Sequence, residues 1–300
     1  MQSSRAHVIA FGMVSTREGG DTAVAAGAGV TGPAYDPGMN GRIALVTGAG
    51  SGLGAAISRR LAADGALVIV NDLNADAAAK VAADVGGEAA PFDVTDSSAF
   101  TAAIDGVVER HGRIDVLVNN AGIVHDRPEV RARSMANMAA RMEGREIEPV
   151  SATSTLTDEQ WDLMIKTHLY GTFYGTRAAL RHMEPVRSGA IVNLGSIYGI
   201  VGSPGTSDYS AAKGAIVLFT KSVGREVAPL GIRVKAVAPG FIDTPLLAPM
   251  ADMRDMLLMQ IPSGRLGEAE EVANLVRFLA GDEASYCFGD VLTLTGGYSI

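Results

Sequence analysis

A single cysteine, Cys287, occurs in the 300 residues, so the chain can close no internal disulfide and offers no multi-cysteine metal site. Positive charge is also in short supply. Twenty-five Lys and Arg stand against 33 Asp and Glu, and the net charge of −8 argues against nucleic acid or an anionic membrane as the main partner. No apolar run approaches the roughly 18 residues of a membrane-spanning helix. These absences lead to the expectation of a cytoplasmic protein in a reducing compartment, without a metal. What the chain has in excess is glycine, 36 residues, which points to tight turns and close backbone approaches. With 47% hydrophobic and 19% charged residues, it reads as a globular chain for which one large domain suffices.

Residues 1–38 are rich in Gly, Ala, Ser and Thr and show no sustained period, so a disordered extension is expected there. The apolar patch from Val8 to Val14 is interrupted by Gly12 and makes a poor signal peptide. Met39 directly precedes the first strand pattern, and the folded domain is expected to span 39–300.

From Ile43 onward, apolar runs alternate with amphipathic stretches, the pattern of βαβ units and a parallel sheet. The first run, Ile43 to Thr47, leads into T-G-A-G-S-G-L-G and then a helical stretch. Gly48, Gly52 and Gly54 would let the backbone approach a pyrophosphate whose charge sits at the helix N-terminus. A second strand, Leu67 to Val70, is followed by Asp72, 18 residues past Gly54, where a carboxylate would accept hydrogen bonds from ribose hydroxyls. The same carboxylate would repel a 2′-phosphate, and Ser51 in the turn offers no compensating cation, so NAD is expected over NADP. A short strand ending at Phe92-Asp93-Val94 would bring Asp93 near the adenine amino group. The next strand, Val116 to Val118, runs into a polar glycine turn, Asn119-Asn120-Ala121-Gly122.

The chemistry concentrates between Asn193 and Lys213. Ser196 follows the apolar run Ala190 to Val192, which puts its hydroxyl at the ligand-binding end of a buried strand. Tyr209 and Lys213 are four residues apart, on one face of a helix. Tyrosine has an ordinary pKa of about 10. An ammonium about 5 Å away would favour the phenolate by roughly 3 kcal/mol, or about two pKa units. On this reading Ser196 holds a substrate oxygen while Tyr209 exchanges a proton with it, as an alcohol/carbonyl couple requires.

T-G-A-G-S-G-L-G, N-N-A-G, Ser196 with Tyr209-x-x-x-Lys213, and Pro239-Gly240 with Thr244 together resemble, in that order, the short-chain dehydrogenase/reductase family, over about residues 40–300. The resemblance implies an α/β single-domain Rossmann fold with a doubly wound, parallel, seven-stranded sheet flanked by helices. It also implies hydride transfer with nicotinamide, Tyr209 as acid/base, Ser196 as substrate orienter and Lys213 on the nicotinamide ribose. Cofactor contacts are then expected from Gly48, Ser51, Gly52, Leu53, Gly54, Asp72, Asp93 and Val94 on the adenosine side. Asn119, Ala121, Gly122, Tyr209, Lys213, Pro239, Gly240, Ile242 and Thr244 complete that set. Where the family often has an asparagine feeding a water chain from the lysine, this chain has His168, as in the hydroxyacyl-CoA dehydrogenase branch. His168 is therefore a relay candidate, with simple packing in its helix as the alternative. A dimer or tetramer is also implied.

Between Gly122 and Trp161 the chain carries some 20 residues more than a compact family member. Met135, Met138 and Met142 there would share one helical arc, and Met250, Met253, Met256 and Met259 populate a later segment expected over the substrate. A specificity lid over 125–155 is expected, with an oligomer contact or surface helix as the alternative. The function expected is an NAD-dependent oxidoreductase interconverting a secondary alcohol and a ketone on an apolar substrate such as a hydroxyacyl-CoA, steroid or terpenoid. The alternatives are an NADPH-dependent 3-oxoacyl-carrier ketoreductase and a noncatalytic NAD-binding scaffold. Because residues 1–38 supply no recognised strand, helix or site, a chain beginning at Met39 should match the full chain in soluble yield, melting temperature and ketone turnover.

Overall fold

The computed structural model describes residues 38–298, apart from the side chains of residues 249–252. The expected N-terminal extension thus lies, Gly38 excepted, outside the described residues. Met39 is fully buried in the core, so the first described residues are already part of the packed body.

Strand β1 (Ile43–Val46), helix α1 (Gly52–Ala63), β2 (Leu67–Val70), α2 (Ala75–Val85) and β3 (Glu88–Ala89) open the chain, and α3 (Ser97–His111) returns to β4 (Val116–Asn119). The long connection carries α4 (Pro128–Met142). Helix α5 (Asp158–Ile165) follows, then a π-helical turn, Lys166–Tyr170, that merges into α6 (Gly171–Val186). Then come β5 (Ala190–Leu194), α7 (Tyr198–Val201), α8 (Ser207–Val227), β6 (Arg233–Pro239), a 3-10 segment Pro245–Met253, α9 (Arg254–Gln260), α10 (Ala269–Ala280) and β7 (Val291–Leu294). All strand pairs are parallel, in the order β3-β2-β1-β4-β5-β6-β7, which is the doubly wound seven-stranded sheet the sequence implied.

The strands read as continuous apolar runs because both faces are covered, as parallel sheets require. Alternation is still present, divided between two cores. Ala44, Val46, Val116 and Val192 pack under α1, α2 and α10 with Ile57, Val81 and Val276. Leu45, Leu117, Ile191 and Val234 pack on the other side under α3, α6 and α8 with Phe100, Met183 and Val227. The strand order reverses between β1 and β4, and a ligand cleft belongs at the carboxyl ends of that pair.

Three local expectations need correction. Strand β3 covers Glu88–Ala89 and does not reach Phe92-Asp93-Val94. Pro91 has no N–H for the ladder, and Asp93 closes a turn by accepting hydrogen bonds from the Thr95 N–H and hydroxyl, both at 2.8 Å. The methionine arc of α4 points outward. That helix buries Val130, Asn137 and Ala140, leaving Met135, Met138 and Met142 38%, 40% and 82% exposed, so the arc does not close over the fold. In α9 the buried residue is Leu257, while Met259 is exposed.

Lys235 on β6 is fully buried on the α10 side of the sheet, where its ammonium donates to the Leu279 carbonyl at 2.5 Å. Burial, assisted by the nearby Arg233, pulls its pKa down to about 7. In the unfolded chain the amine keeps its proton to the usual lysine range, so between these two values the unfolded state binds more protons. Stability therefore rises with pH across that window. Lys235→Met should raise the melting temperature at pH 7 and flatten the rise between pH 7 and pH 10, as thermal unfolding of both proteins in parallel would reveal.

Candidate active site

Thr47, at the end of β1, fastens the two strands that border the cleft. Its hydroxyl oxygen accepts the backbone N–H groups of Asn120 and Ala121 at 3.0 and 3.1 Å and lies 3.4 Å from the Val118 carbonyl. In return the Asn120 side-chain amide donates to the carbonyls of Thr47 and Gly48 at 2.9 and 3.0 Å. The sequence reading used Thr47 only as a strand end and gave Asn120 no role. The available signal was a threonine immediately before the glycine turn.

The turn itself is shaped for a phosphate group. A Cβ on Gly54 would come within 2.3 Å of the Gly48 carbonyl oxygen, so the helix can start this close to the strand only with glycine. Ser51 makes no side-chain cap to α1, and the first turn has no acidic residue, which leaves the leading N–H groups available to an anion. Thr244 and Pro245 stand opposite, within about van der Waals reach of Gly52. Leu53 is partly buried against the α1-side core.

Asp72 lies where the spacing put it. One carboxylate oxygen accepts the Gly50 N–H at 2.9 Å, and the other accepts the Asn74 N–H at 2.9 Å. Helix α2 is capped by Asn74, whose side chain accepts from the Ala77 N–H, so Asp72 is not the cap. Asp93 is engaged in its turn with Thr95, and the adjoining Val94 is buried against Gly171. Asn119 is also turned inward. Its amide donates to Asn193 at 2.8 Å and Thr176 at 3.2 Å, tying β4 to β5 and α6.

At the other end of the cleft, Ser196, Tyr209 and Lys213 converge. The Ser196 side chain lies close enough to Tyr209 to oppose the rise of its pKa, and the Ser196 hydroxyl accepts the Tyr198 N–H at 3.2 Å. Lys213 is buried and donates to the Leu194 carbonyl at 2.7 Å, with its nitrogen 5.8 Å from the centre of the Tyr209 ring. The electrostatics differ from the simple pair argument. Burial raises the Tyr209 pKa, opposed by the neighbouring Ser196 side chain, and Lys213 is itself lowered to about 7 by burial. Desolvation outweighs the ammonium because the lysine is turned toward Leu194 and loses part of its own charge.

His168 sits on the π-helical turn, buried, with its ring edge-on to Tyr209 at 5.4 Å. Its Nε2 lies 3.0 Å from the Ile123 nitrogen and 2.9 Å from the Ile123 oxygen, while Nδ1 is buried without a protein partner. Burial and the nearby Lys213 push its pKa well down, so the ring is neutral at pH 7. Gly122 lies beneath this ring, and Ala121 packs close to Gly48.

Beyond Pro239, Gly240 donates to the Leu294 carbonyl at 2.9 Å, and Ile242 is buried in register with Gly267. The sequence reading missed an aromatic wall here, because its members come from three distant segments. Phe241 is met edge-on by Tyr198 at 5.7 Å and by Tyr298 at 5.2 Å. A cleft of about 390 Å³ opens between the Thr244 loop and α9, lined by Asp243, Thr244, Leu247, Arg254 and Leu257 among others. Ser196 and Tyr209 are outside its lining.

Comparison with known proteins adds independent findings. Residues 42–255 match the family model described as short chain dehydrogenase. A 3-oxoacyl-(acyl-carrier-protein) reductase from Thermotoga maritima is 38% identical over 268 residues, covering 87% of this chain and 99% of its own. The reductase of the same name from Escherichia coli is 39% identical, covering 86% and 98%. An uncharacterized oxidoreductase from Mycobacterium bovis is 41% identical, covering 86% and 97%. Among solved structures, one titled ribose-5-phosphate isomerase from Brucella melitensis superposes with a TM-score of 0.76 at 34% identity, covering 88% of this chain and 94% of its own.

A methyl group at Gly122 would meet His168 Cε1 at 2.4 Å, and the ring is held in place by Ile123. Gly122→Ala should therefore cost about 1–3 kcal/mol of stability by overpacking. In a His168→Ala background the same substitution should cost nothing measurable by urea unfolding.

Proposed function

Because the chain belongs to the short chain dehydrogenase family and is an oxidoreductase of the alcohol/carbonyl couple, we propose that it reduces the 3-oxo group of an acyl thioester with NADH. The observation that carries this reading is the hydroxyl pair of Ser196 and Tyr209 backed by buried Lys213. A phenol whose pKa is raised keeps its proton at neutral pH, so Tyr209 holds the proton that reduction of a ketone requires. Ser196 holds the ketone oxygen, Tyr209 delivers its proton to that oxygen, and Lys213 stabilises the resulting phenolate. The nicotinamide supplies the hydride when bound. Gly48, Gly52 and Gly54 would take its pyrophosphate, Asp72 its ribose, and Pro239, Gly240, Ile242 and Thr244 would border its nicotinamide end. His168 acts by packing against Tyr209 and bonding Ile123, a positioning role its neutral ring supports better than a charged relay.

The relatives' reductase names support the acyl-carrier ketoreductase alternative over a free steroid or terpenoid alcohol. The cofactor is where that alternative and Asp72 part. An NADPH-dependent enzyme would have to seat a 2′-phosphate beside a carboxylate already bonded to the glycine turn, with no cation offered by Ser51. A homo-oligomer is supported by the exposed apolar residues Trp161, Leu163, Tyr170, Phe173 and Leu218 along α5, the π turn, α6 and α8. No helix among the described residues is long and apolar enough to cross a membrane, and the cytoplasm is the proposed location.

Two substitutions test this reading on a 3-oxoacyl thioester and on small ketones. Tyr209→Phe should lower turnover by about 10²-fold or more with NADH affinity preserved, the scale of a lost general acid. Asp72→Ala should narrow the preference for NADH over NADPH. Unchanged relative efficiencies for the two cofactors would contradict the assignment of Asp72.

A further inference from the structure

Two residues outside the family motifs, His125 and Asp208, meet at the start of the helix that carries Tyr209. His125 is the third residue after the N-N-A-G turn, and its ring is largely buried. Its Nε2 lies 2.9 Å from the Gln160 carbonyl oxygen and 3.6 Å from an Asp208 carboxylate oxygen. Two acceptors facing one ring nitrogen require that nitrogen to carry the hydrogen. Gln160 is in the first turn of α5, and Asp208 is the second residue of α8, immediately before Tyr209. One imidazole thus touches the exit from β4, the helix leading to the His168 turn, and the helix carrying Tyr209 and Lys213.

Asp208 is buried, and His125 Nε2 faces its carboxylate at 3.6 Å. A carboxylate in the first turn of α8 suits the helix dipole, but a buried one costs stability when its partner is removed. The long connection after His125 strengthens the same joint. Arg127 closes its neck by donating to the Ala152 carbonyl at 2.7 Å and the Thr155 hydroxyl at 2.8 Å. Asn137 clasps its body through paired bonds with the Glu148 backbone at 2.6 and 2.9 Å. At its return, the Thr153 hydroxyl donates to Ser207 at 3.0 Å. The two ends of this arm therefore stand on Ser207 and Asp208, the consecutive residues preceding Tyr209.

We propose that His125 and Asp208 form a positioning clasp that fixes the first turn of α8, and with it the Tyr209 phenol, and that the 126–156 arm works as a brace on that turn. This rests on the reading of Tyr209 as proton donor. The clasp touches neither the glycine turn nor Ser196, so loosening it acts on the chemical step and not on binding. A misplacement of about 1 Å at the reacting group is enough to cost orders of magnitude in rate.

The test compares His125→Ala, His125→Gln, Asp208→Asn and the double variant His125→Ala/Asp208→Asn, with Tyr209→Phe as control. It reads kcat and KM for ketone reduction and the NADH Kd by fluorescence titration. Each single loss should lower kcat about tenfold with KM and NADH Kd within about twofold, and the double variant should be no worse than either single, the mark of one coupled unit. His125→Gln should recover to within about threefold, since its amide can still donate to the Gln160 carbonyl. If His125→Ala does not accumulate folded, Thr153→Val cuts the second tie at the surface and carries the same kcat-only expectation. Near-normal kcat in the clasp variants, multiplicative losses in the double, or a loss that falls on KM or NADH affinity overturns the clasp. Retained turnover in Tyr209→Phe overturns the proton-donor reading and the clasp with it. An inactive Tyr209→Phe beside fully active clasp variants overturns the clasp alone.

Discussion

The Thr47 hydroxyl is the point on which the cleft depends. It accepts two consecutive backbone N–H groups from the turn after β4, while Asn120 in that turn reaches back to the carbonyls of Thr47 and Gly48. A parallel sheet cannot use its ladder to control what happens past the ends of its strands, since each chain leaves there for a helix. The reciprocal bonds extend the order of β1 and β4 by several residues. They hold the glycine turn against N-N-A-G, and Gly122 in that second turn in turn admits the His168 ring. The two turns that border the cleft are thereby registered to each other through the side chains of Thr47 and Asn120, just past the ends of β1 and β4.

Much of this was legible in the sequence because it is written in short local patterns. The alternation of strands and helices, the glycine turn, the position of Asp72 and the helix that puts Tyr209 and Lys213 on one face follow from period, spacing and punctuation. The count of seven strands comes from the family resemblance, and the third strand lies earlier than the expected one. What was not legible depends on direction and desolvation. Spacing alone brings an ammonium near a phenol, but it does not reveal that Lys213 points to the Leu194 carbonyl or that burial raises Tyr209. Asn119 belongs to a recognisable motif, yet its amide faces inward to Asn193 and Thr176. The methionine arc of α4 was correctly placed on one face, but the sequence had no means of showing which face packs. Small Ala140 and the paired Asn137 decide that, through contacts with a return segment that has no periodic signal.

Burial sets the chemistry in two places for different ends. Lys213 and Lys235 both lose their water and both fall to about 7, each with one backbone carbonyl as acceptor. On the proposed mechanism, Lys213 stands behind a phenol that becomes negative only as the proton leaves, so its desolvated charge gains a partner at that moment. Lys235 has no such partner near the reaction centre, and its cost is carried by the fold.

The π-helical turn from Lys166 to Tyr170 has a consequence beyond seating His168. An α-helix advances about 100° per residue, so one extra residue in a turn shifts everything after it by that angle. Residues 158–186 accordingly form one rod with two phases. The side facing the partner helix before the turn is not continued by the same heptad positions after it, and an apolar periodicity measured across the whole rod cancels itself. The wide turn thus lets a single continuous rod serve the tyrosine helix through His168 and the sheet through Ala178, Ala179 and Met183, two surfaces that a strictly regular helix of that length would have to address with one stripe.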